Sequence, residues 1–193
     1  MGPSNDDVED ARLAESARSG DAHAFEQLLT RHETRVFRVL RLMGIPSRDR
    51  EDLAQDVFVR VFRSLPGFDS RRPFRSWIYR ITVNVSHDHR LHSARRGEEP
   101  TTLDHDAVPE RDSGAVEDRV VLRRRLEAAL GRLSERERAV FVLTEIEGCD
   151  SREVARSLGI TTITVRRHLG RAREHLRRLL DADQAPKNVS SGD

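Results

Sequence analysis

The chain has 193 residues, of which 36% are hydrophobic and 35% are charged, and its 34 basic side chains nearly balance 33 acidic ones. This composition predicts one domain or two small ones and excludes a single large core. One cysteine excludes a disulfide framework within the chain and a zinc site built from several cysteines.

Residues 1–19 are interpreted as an N-terminal extension. They are acidic and lack the basic and then apolar pattern of a signal peptide. No apolar run in the chain nears the roughly 20 residues that a membrane span needs. We therefore expect a cytoplasmic protein with no membrane insertion.

Residues 20–96 are predicted to form a bundle of three or four helices. Apolar residues recur at steps of three and four within 25–43, 53–65 and 74–85. Asp49 is predicted to cap the second of these helices, and Pro66-Gly67 is predicted to stop it. No segment alternates as a strand would, so the fold class is all-α.

A polar stripe lies along the second predicted helix. Its members are Asp49, Asp52, Gln55, Asp56 and Arg60. Steps of three and four place the last four of these on one side of the helix. Such a stripe is most often a solvated face, but its carboxylates also suit docking on a basic surface of another protein.

The third predicted helix and the loop before it are basic and aromatic. Residues 71–96 hold seven arginines and one acid, Asp88, and the rings of Phe68, Phe74 and Trp77 lie near them. A protein that binds melted DNA needs cations that contact the phosphate backbone and aromatic rings on which the unstacked bases can stack. The spacing of Phe74 and Trp77 also fits residues of the core. Phe68 follows Pro-Gly in a loop, so it is the better candidate for stacking on an unstacked base.

Residues 97–117 form a predicted flexible acidic linker. They include two prolines and two glycines, and residues 92–117 carry three basic and seven acidic side chains. Long segments without apolar periodicity are uncommon inside compact domains. The chain is therefore predicted to hold two domains, 20–96 and 118–180, followed by a disordered tail at 181–193.

Residues 118–180 are predicted to form four helices and carry 15 basic against 9 acidic side chains. The helices fall at about 118–130, 135–147, 151–158 and 162–180. The sequence from Ser134 to Glu137 has a capping-box pattern, and Asp150 or Ser151 caps the third helix. A short helix, a turn at Gly159 and a second helix match the helix-turn-helix motif.

The second helix of this motif is predicted to contact DNA. Hydroxyl groups reach phosphates or base edges, and arginine binds guanine through two hydrogen bonds. The predicted contact residues are Arg152, Thr161, Thr162, Thr164, Arg166, Arg167, His168 and Arg171. An ordinary amphipathic hairpin with a basic solvated face is the alternative.

Taken together, these features resemble a known family, the bacterial extracytoplasmic-function sigma factors, which are alternative sigma factors of RNA polymerase. Asp49-x-x-Asp52-x-x-Gln55-Asp56-x-Phe58 is similar to the part that docks on polymerase. Residues 68–88 are similar to the part that melts and reads the −10 promoter element, and residues 133–173 are similar to the part that reads the −35 element.

The resemblance implies three sets of site residues. Core RNA polymerase would contact Asp49, Asp52, Gln55, Asp56 and Arg60. The −10 element would contact Phe68, Arg75, Trp77, Arg80, Asn84, Asp88, Arg90, Arg95 and Arg96. The −35 element would contact the residues of the helix-turn-helix named above. Ile163, where the family often has glycine, and His168, where it often has a basic residue, depart from the pattern.

The resemblance implies an alternative sigma factor that binds core RNA polymerase, recognises both promoter elements and promotes melting and initiation. It also implies an anti-sigma partner. The alternative is a helix-turn-helix regulator that binds duplex DNA without being a polymerase subunit, which leaves the acidic stripe and residues 68–96 without a role. We predict no enzymatic activity, no cofactor and no metal site, because no nucleophile–base pair is found and His87 and His89 point apart on a helix.

Overall fold

The computed structural model describes residues 4–97 and 114–184, and within the second range it describes side chains for residues 121–179. The described residues form eight α-helices and no strand. The helices are α1 (Asn5–Arg18), α2 (Ala22–Leu42), α3 (Ser47–Ser64), α4 (Phe74–Arg95), α5 (Gly114–Gly131), α6 (Glu135–Phe141), α7 (Ser151–Leu158) and α8 (Thr162–Gln184). The all-α fold class predicted from the sequence is confirmed.

Helices α2, α3 and α4 pack against one another through their apolar faces. Leu28 and Val36 of α2, Val57 and Val61 of α3 and Ile78 of α4 are fully buried. Burying one such side chain contributes about 1.5–3 kcal/mol relative to leaving it exposed. The rows of apolar residues that predicted these helices are therefore also what holds them together.

Helix α1 lies inside the segment that we interpreted as an N-terminal extension. A capping box between Ser4 and Asp7 opens it, and Leu13 and Ala14 are buried where it packs against α2 and α4. Residues 5–18 thus belong to the N-terminal bundle, which corrects that interpretation. The apolar pattern of α1 is too short to predict this packing from the sequence.

A buried ion pair joins α1 to α2. His32 Nε2 lies 2.8 Å from one carboxylate oxygen of Asp10, and Arg31 Nε donates to the other at 2.9 Å. Burial raises the pKa of Asp10, but the hydrogen bonds and charges of His32 and Arg31 outweigh burial and lower that pKa overall. A carboxylate with a lowered pKa stabilises the fold above its unfolded pKa. That contribution is lost as the pH falls through the lower folded value.

We expect Asp10→Ala to lower the free energy of unfolding by about 3 kcal/mol at pH 7, because it leaves His32 and Arg31 without their buried acceptor. Urea unfolding followed by circular dichroism measures this loss. Glu9→Ala is the matched control, since Glu9 pairs with Arg12 on the exposed surface and should change little. Equal losses in both variants would contradict the role given to Asp10.

Helix α3 begins at Ser47, and its N-cap is Pro46, which makes no side-chain cap bond. The prediction that Asp49 caps this helix is therefore wrong. Asp49 lies in the first turn, where its negative charge interacts favourably with the helix dipole. At the other end, a 3₁₀ turn over Leu65–Gly67 follows the helix, as predicted from Pro66-Gly67.

Helices α5 to α8 form the C-terminal part, and they include the predicted helix-turn-helix. A capping box opens α6 at Ser134, and another opens α7 with Asp150 as the N-cap. Helix α6 continues into a π-helical segment, Val142–Ile146. Gly159 ends α7 at φ +63°, a conformation that residues with a side chain resist. Helix α8 then packs back on α7, which confirms the motif.

Two predicted boundaries differ from those of the structure. Helix α5 begins at Gly114, so the last residues of the predicted linker, 114–117, are helical. Helix α8 ends at Gln184, so residues 181–184 of the predicted disordered tail are helical as well. The remaining residues of the linker, 98–113, and of the tail, 185–193, lie outside the described residues.

The N-terminal and C-terminal parts contact each other through polar groups. Helix α4 packs against α7, where the Ser157 hydroxyl donates to the Ser76 carbonyl at 3.2 Å. Arg38 of α2 donates to the carboxylate of Glu147, whose side chain is 1% exposed, at 2.7–2.8 Å. These contacts hold the two parts together in the described conformation.

Candidate nucleic-acid and protein interfaces

The acidic stripe predicted on α3 is open to a partner. Its exposed members are Asp52, Gln55, Asp56 and Arg60. Within the described part of the chain, neither Asp52 nor Asp56 has an ion-pair partner within 4 Å. Asp49 is less free, because its carboxylate lies 3.7 Å from Arg48 Nε and 3.4 Å from His89 Nε2.

Two exposed apolar residues lie beside this stripe. Val59 is 45% exposed, and Phe62 is 62% exposed, with its ring against the edge of Phe25 at 5.2 Å between centroids. Aromatic and apolar groups bordered by charges are common in protein interfaces. Phe62 falls in the apolar period of residues 53–65 that predicted this helix, so its spacing alone would place it in the core. The available signal was that α3 has more apolar residues than one buried face can hold.

The structure corrects the prediction that Phe68 is a free loop ring available to an unstacked base. This ring is 5% exposed and packs on Phe74 and Trp77, with centroids 5.3 Å and 4.9 Å away. The three rings anchor the loop after α3 to the start of α4. An unstacked base therefore cannot reach Phe68 in this conformation unless the ring leaves the cluster.

The outer face of α4 carries a row of polar residues at steps of four. Arg80, Asn84 and Asp88 form the row, and Asn84 is its exposed centre. Asp88 accepts a hydrogen bond from Arg60 of α3 at 2.8 Å. This contact brings a residue assigned to polymerase binding beside one assigned to the −10 element.

The other arginines assigned to the −10 element differ in their exposure to solvent. Arg75 Nε lies 3.4 Å from a carboxylate oxygen of Asp7 on α1. Arg90 is half-buried near the C-terminal part, while Arg95 and Arg96 are exposed at the end of α4. The last turn of α4 therefore offers the most accessible cations.

The face of α8 opposite the core is basic. Val165, Leu169 and Ala172 are buried. The exposed arginines of this helix lie away from that side: Arg166, Arg167, Arg171, Arg173, Arg177 and Arg178. At the start of α8, the Thr161 hydroxyl accepts the backbone N–H of Thr164 at 3.1 Å and so caps the helix. Arg152, also assigned to DNA, is exposed on α7.

The structure defines the surroundings of His168 and Cys149. His168 is half-buried, and burial together with the charge of Arg167 lowers its pKa. The lowered pKa favours the neutral imidazole over its cation. Cys149 is buried, and burial raises the pKa of its thiol to about 12. The thiol stays protonated and is unreactive at neutral pH.

The described residues contain no group of three or more His, Cys, Asp or Glu side chains that could hold a metal ion. A search of the same residues finds no helix both long and apolar enough to span a membrane. The features of interest in the described residues are the exposed surfaces of opposite charge on α3 and α8.

Two family models match the chain at these surfaces. Sigma-70 region 2 matches residues 28–96, and Sigma-70 region 4 matches residues 123–176. RNA polymerase sigma factor CnrH of Cupriavidus metallidurans is 37% identical over 187 residues, which cover 93% of this chain and 98% of that protein. The chain belongs to the extracytoplasmic-function family of RNA polymerase sigma factors.

Other comparisons agree with this assignment. ECF RNA polymerase sigma factor SigM of Mycobacterium tuberculosis is 36% identical to this sigma factor over 172 residues, 89% of this chain and 84% of that protein. A solved structure of CnrH in complex with the cytosolic domain of CnrY has a TM-score of 0.70 and 36% identity, and the match covers 91% of this chain and 99% of that chain.

Membership in the family decides between the two functions that the sequence left open. This protein is an alternative sigma factor that binds core RNA polymerase, recognises the −35 and −10 elements, and promotes promoter melting and initiation. The match to region 2 accounts for helices α2 to α4, to which a conventional helix-turn-helix regulator gives no role. That alternative is not favoured.

Proposed function

We propose that this sigma factor works through three separate surfaces. The stripe on α3 binds core RNA polymerase, the outer face of α4 contacts the −10 element, and the exposed face of α8 contacts the −35 element. The protein acts in the cytoplasm and has no catalytic activity, cofactor or metal of its own. The observation that carries this proposal is that α3 exposes unpaired carboxylates while α8 exposes arginines.

The signs of these charges assign the partners. Phosphates attract the arginines of α8 and repel the carboxylates of α3, so α8 rather than α3 is suited to bind duplex DNA. A stripe with Asp52 and Asp56 is complementary to a basic protein surface. Attachment of both parts to one polymerase raises the effective concentration of each at the promoter.

Reconstituted transcription tests the proposal. Core RNA polymerase with this protein is offered a library of random promoters, and transcripts are sequenced. We expect initiation from promoters that share a −35 and a −10 sequence. Failure to initiate from every member, with a control sigma factor active on its own promoter, would refute the proposal.

Both promoter elements cannot be read in the described conformation. Their names place them 25 base pairs apart, which is about 85 Å of B-DNA at 3.4 Å per base pair. Yet α4, assigned to one element, is in direct contact with α7 of the helix-turn-helix assigned to the other. We infer that the two parts separate when the protein joins polymerase and promoter.

Energy transfer between two dyes measures this separation. We expect strong transfer between dyes on His23→Cys of α2 and Arg177→Cys of α8 in the free protein, and a large decrease once core polymerase and promoter are added. Both positions are exposed, and the buried Cys149 thiol is unreactive. A pair of dyes within α2 and α3 is the control and should not change. Unchanged transfer between His23→Cys and Arg177→Cys in an active complex would contradict the inference.

We also propose that an anti-sigma protein binds this sigma factor. The structure of CnrH with the cytosolic domain of CnrY supports this, because the match to it extends over both parts of the chain. A partner that contacts both parts would hold them in the closed arrangement and prevent promoter reading. Addition of such a partner should restore strong energy transfer in the experiment above, and no effect on transfer would argue against this mode of inhibition.

A further inference from the structure

Ile163 is the most exposed of the large apolar side chains in the described residues, at 74%. It lies in the first turn of α8, two residues before the buried Val165. At 100° per residue, that step places Ile163 about 160° away from the core side of the helix. The side chain therefore points away from the core of the domain and is mostly exposed to solvent.

Gly170 lies on the same outward side of α8. It is about 140° from Val165 around the helix and about 10 Å from Ile163 along it. A Cβ added at Gly170 would meet nothing within 4 Å. Glycine is among the least favourable residues inside a helix, so the fold gives no reason for its presence here.

These two residues share their face with cations. Arg167 lies between them in sequence and also points away from the core, and Arg166 and Arg171 flank this line and are exposed. A single exposed apolar residue is ordinary on a protein surface. An apolar side chain and a bare stretch of backbone among arginines, in the first turns of a recognition helix, are what close approach to a DNA groove requires.

The groove offers one apolar group to such a side chain. In the major groove, thymine presents a 5-methyl group, and apolar residues recognise thymine by packing against it. We propose that Ile163 is a specificity-determining residue that contacts the 5-methyl group of a thymine in the −35 element, while Gly170 lets the helix approach the DNA closely. This inference rests on the proposed assignment of α8 to the −35 element.

Replacing thymine by uracil tests the contact, because uracil lacks only the methyl group. A promoter duplex selected in the transcription experiment is prepared with each −35 thymine replaced in turn, and binding by the holoenzyme is measured. We expect one replacement to weaken binding by wild-type protein about fourfold, the value of one buried methyl group. The same replacement should have no effect on Ile163→Ala.

Leu122→Ala is the matched control, because Leu122 is an exposed apolar residue, 63%, outside α8. It should keep the full sensitivity to uracil. Gly170→Ala should raise the melting temperature of the free protein and yet weaken promoter binding several-fold. These two shifts in opposite directions are not expected from a merely structural glycine.

Several results would overturn the inference. Wild-type binding that is insensitive to uracil at every −35 position would do so, and so would equal sensitivity in wild type and Ile163→Ala. If Ile163→Ala instead lost polymerase binding with DNA recognition intact, the side chain would contact a protein. Absence of any selected promoter would mean failure of the proposed function itself, which separates the two outcomes.

Discussion

Asp56→Arg is expected to weaken the binding of core RNA polymerase about 100-fold and to abolish transcription from the selected promoters. Asp56 is exposed at the centre of the stripe on α3 and has no ion-pair partner within 4 Å in the described residues. Its reversal places a cation against the basic surface that the stripe is proposed to meet. Like charges brought together in an interface cost several kcal/mol, and about 3 kcal/mol corresponds to 100-fold.

Glu33→Arg provides the matched control for this result. It makes the same change of charge at an exposed position of the same N-terminal bundle, but Glu33 lies on α2, outside the stripe. We expect nearly normal polymerase binding and transcription from it. Binding of labelled sigma factor to core polymerase, followed by fluorescence anisotropy, measures both variants. Equal weakening in both would show that net charge matters and that the stripe has no specific role.

Arg138→Met is expected to lower the free energy of unfolding by about 3 kcal/mol or more. The Arg138 guanidinium is buried and donates to three carbonyl oxygens, those of Leu130, Gly131 and Met43, at 2.7–2.9 Å. Leu130 and Gly131 end α5, and Met43 caps the end of α2. One side chain thus satisfies acceptors at the C-termini of two helices, where a positive charge is favourable. Methionine keeps the apolar stem but leaves the acceptors unpaired.

The charge of Arg138 persists despite its burial. Burial, and then the nearby charge of Arg90, lowers its pKa to about 10, which leaves it protonated at pH 7. Arg136→Met in the same helix is the control, because Arg136 is exposed and donates one hydrogen bond, to the Leu158 carbonyl. We expect a loss below about 1 kcal/mol from it. Chemical unfolding that shows similar losses for both variants would contradict the capping role of Arg138.

Local patterns in the sequence predicted most of the helical architecture. The apolar rows around Leu28, Val57 and Ile78 repeat with the helix period, and this repeat depends on nothing outside each segment. The capping box at Ser134 and the left-handed turn at Gly159 are equally local, because they involve residues no more than four positions apart. The residue types that make up the acidic stripe and the basic face of α8 were readable for the same reason.

Other features depended on contacts between distant residues. The sequence places Phe68 in a loop after Pro66-Gly67, where its ring was predicted to be free, but Phe74 and Trp77 bury it. Helix α1 joins the bundle through Asp10, whose partners on α2 are more than 20 positions away. None of these outcomes follows from spacing, since burial depends on which elements meet.

The sequence by itself determined the helices, the helix-turn-helix and the charge of each surface, because these follow from short-range spacing and residue type. Only the tertiary structure decided which rings are core, that Arg138 joins the ends of α2 and α5, and that α4 rests on α7. It also showed that Ile163 is exposed and that a Cβ at Gly170 would meet nothing within 4 Å, since exposure is a property of the packed chain. The nearly neutral total charge of the sequence therefore conceals an acidic α3 and a basic α8, and their positions on separate helices decide what each can bind.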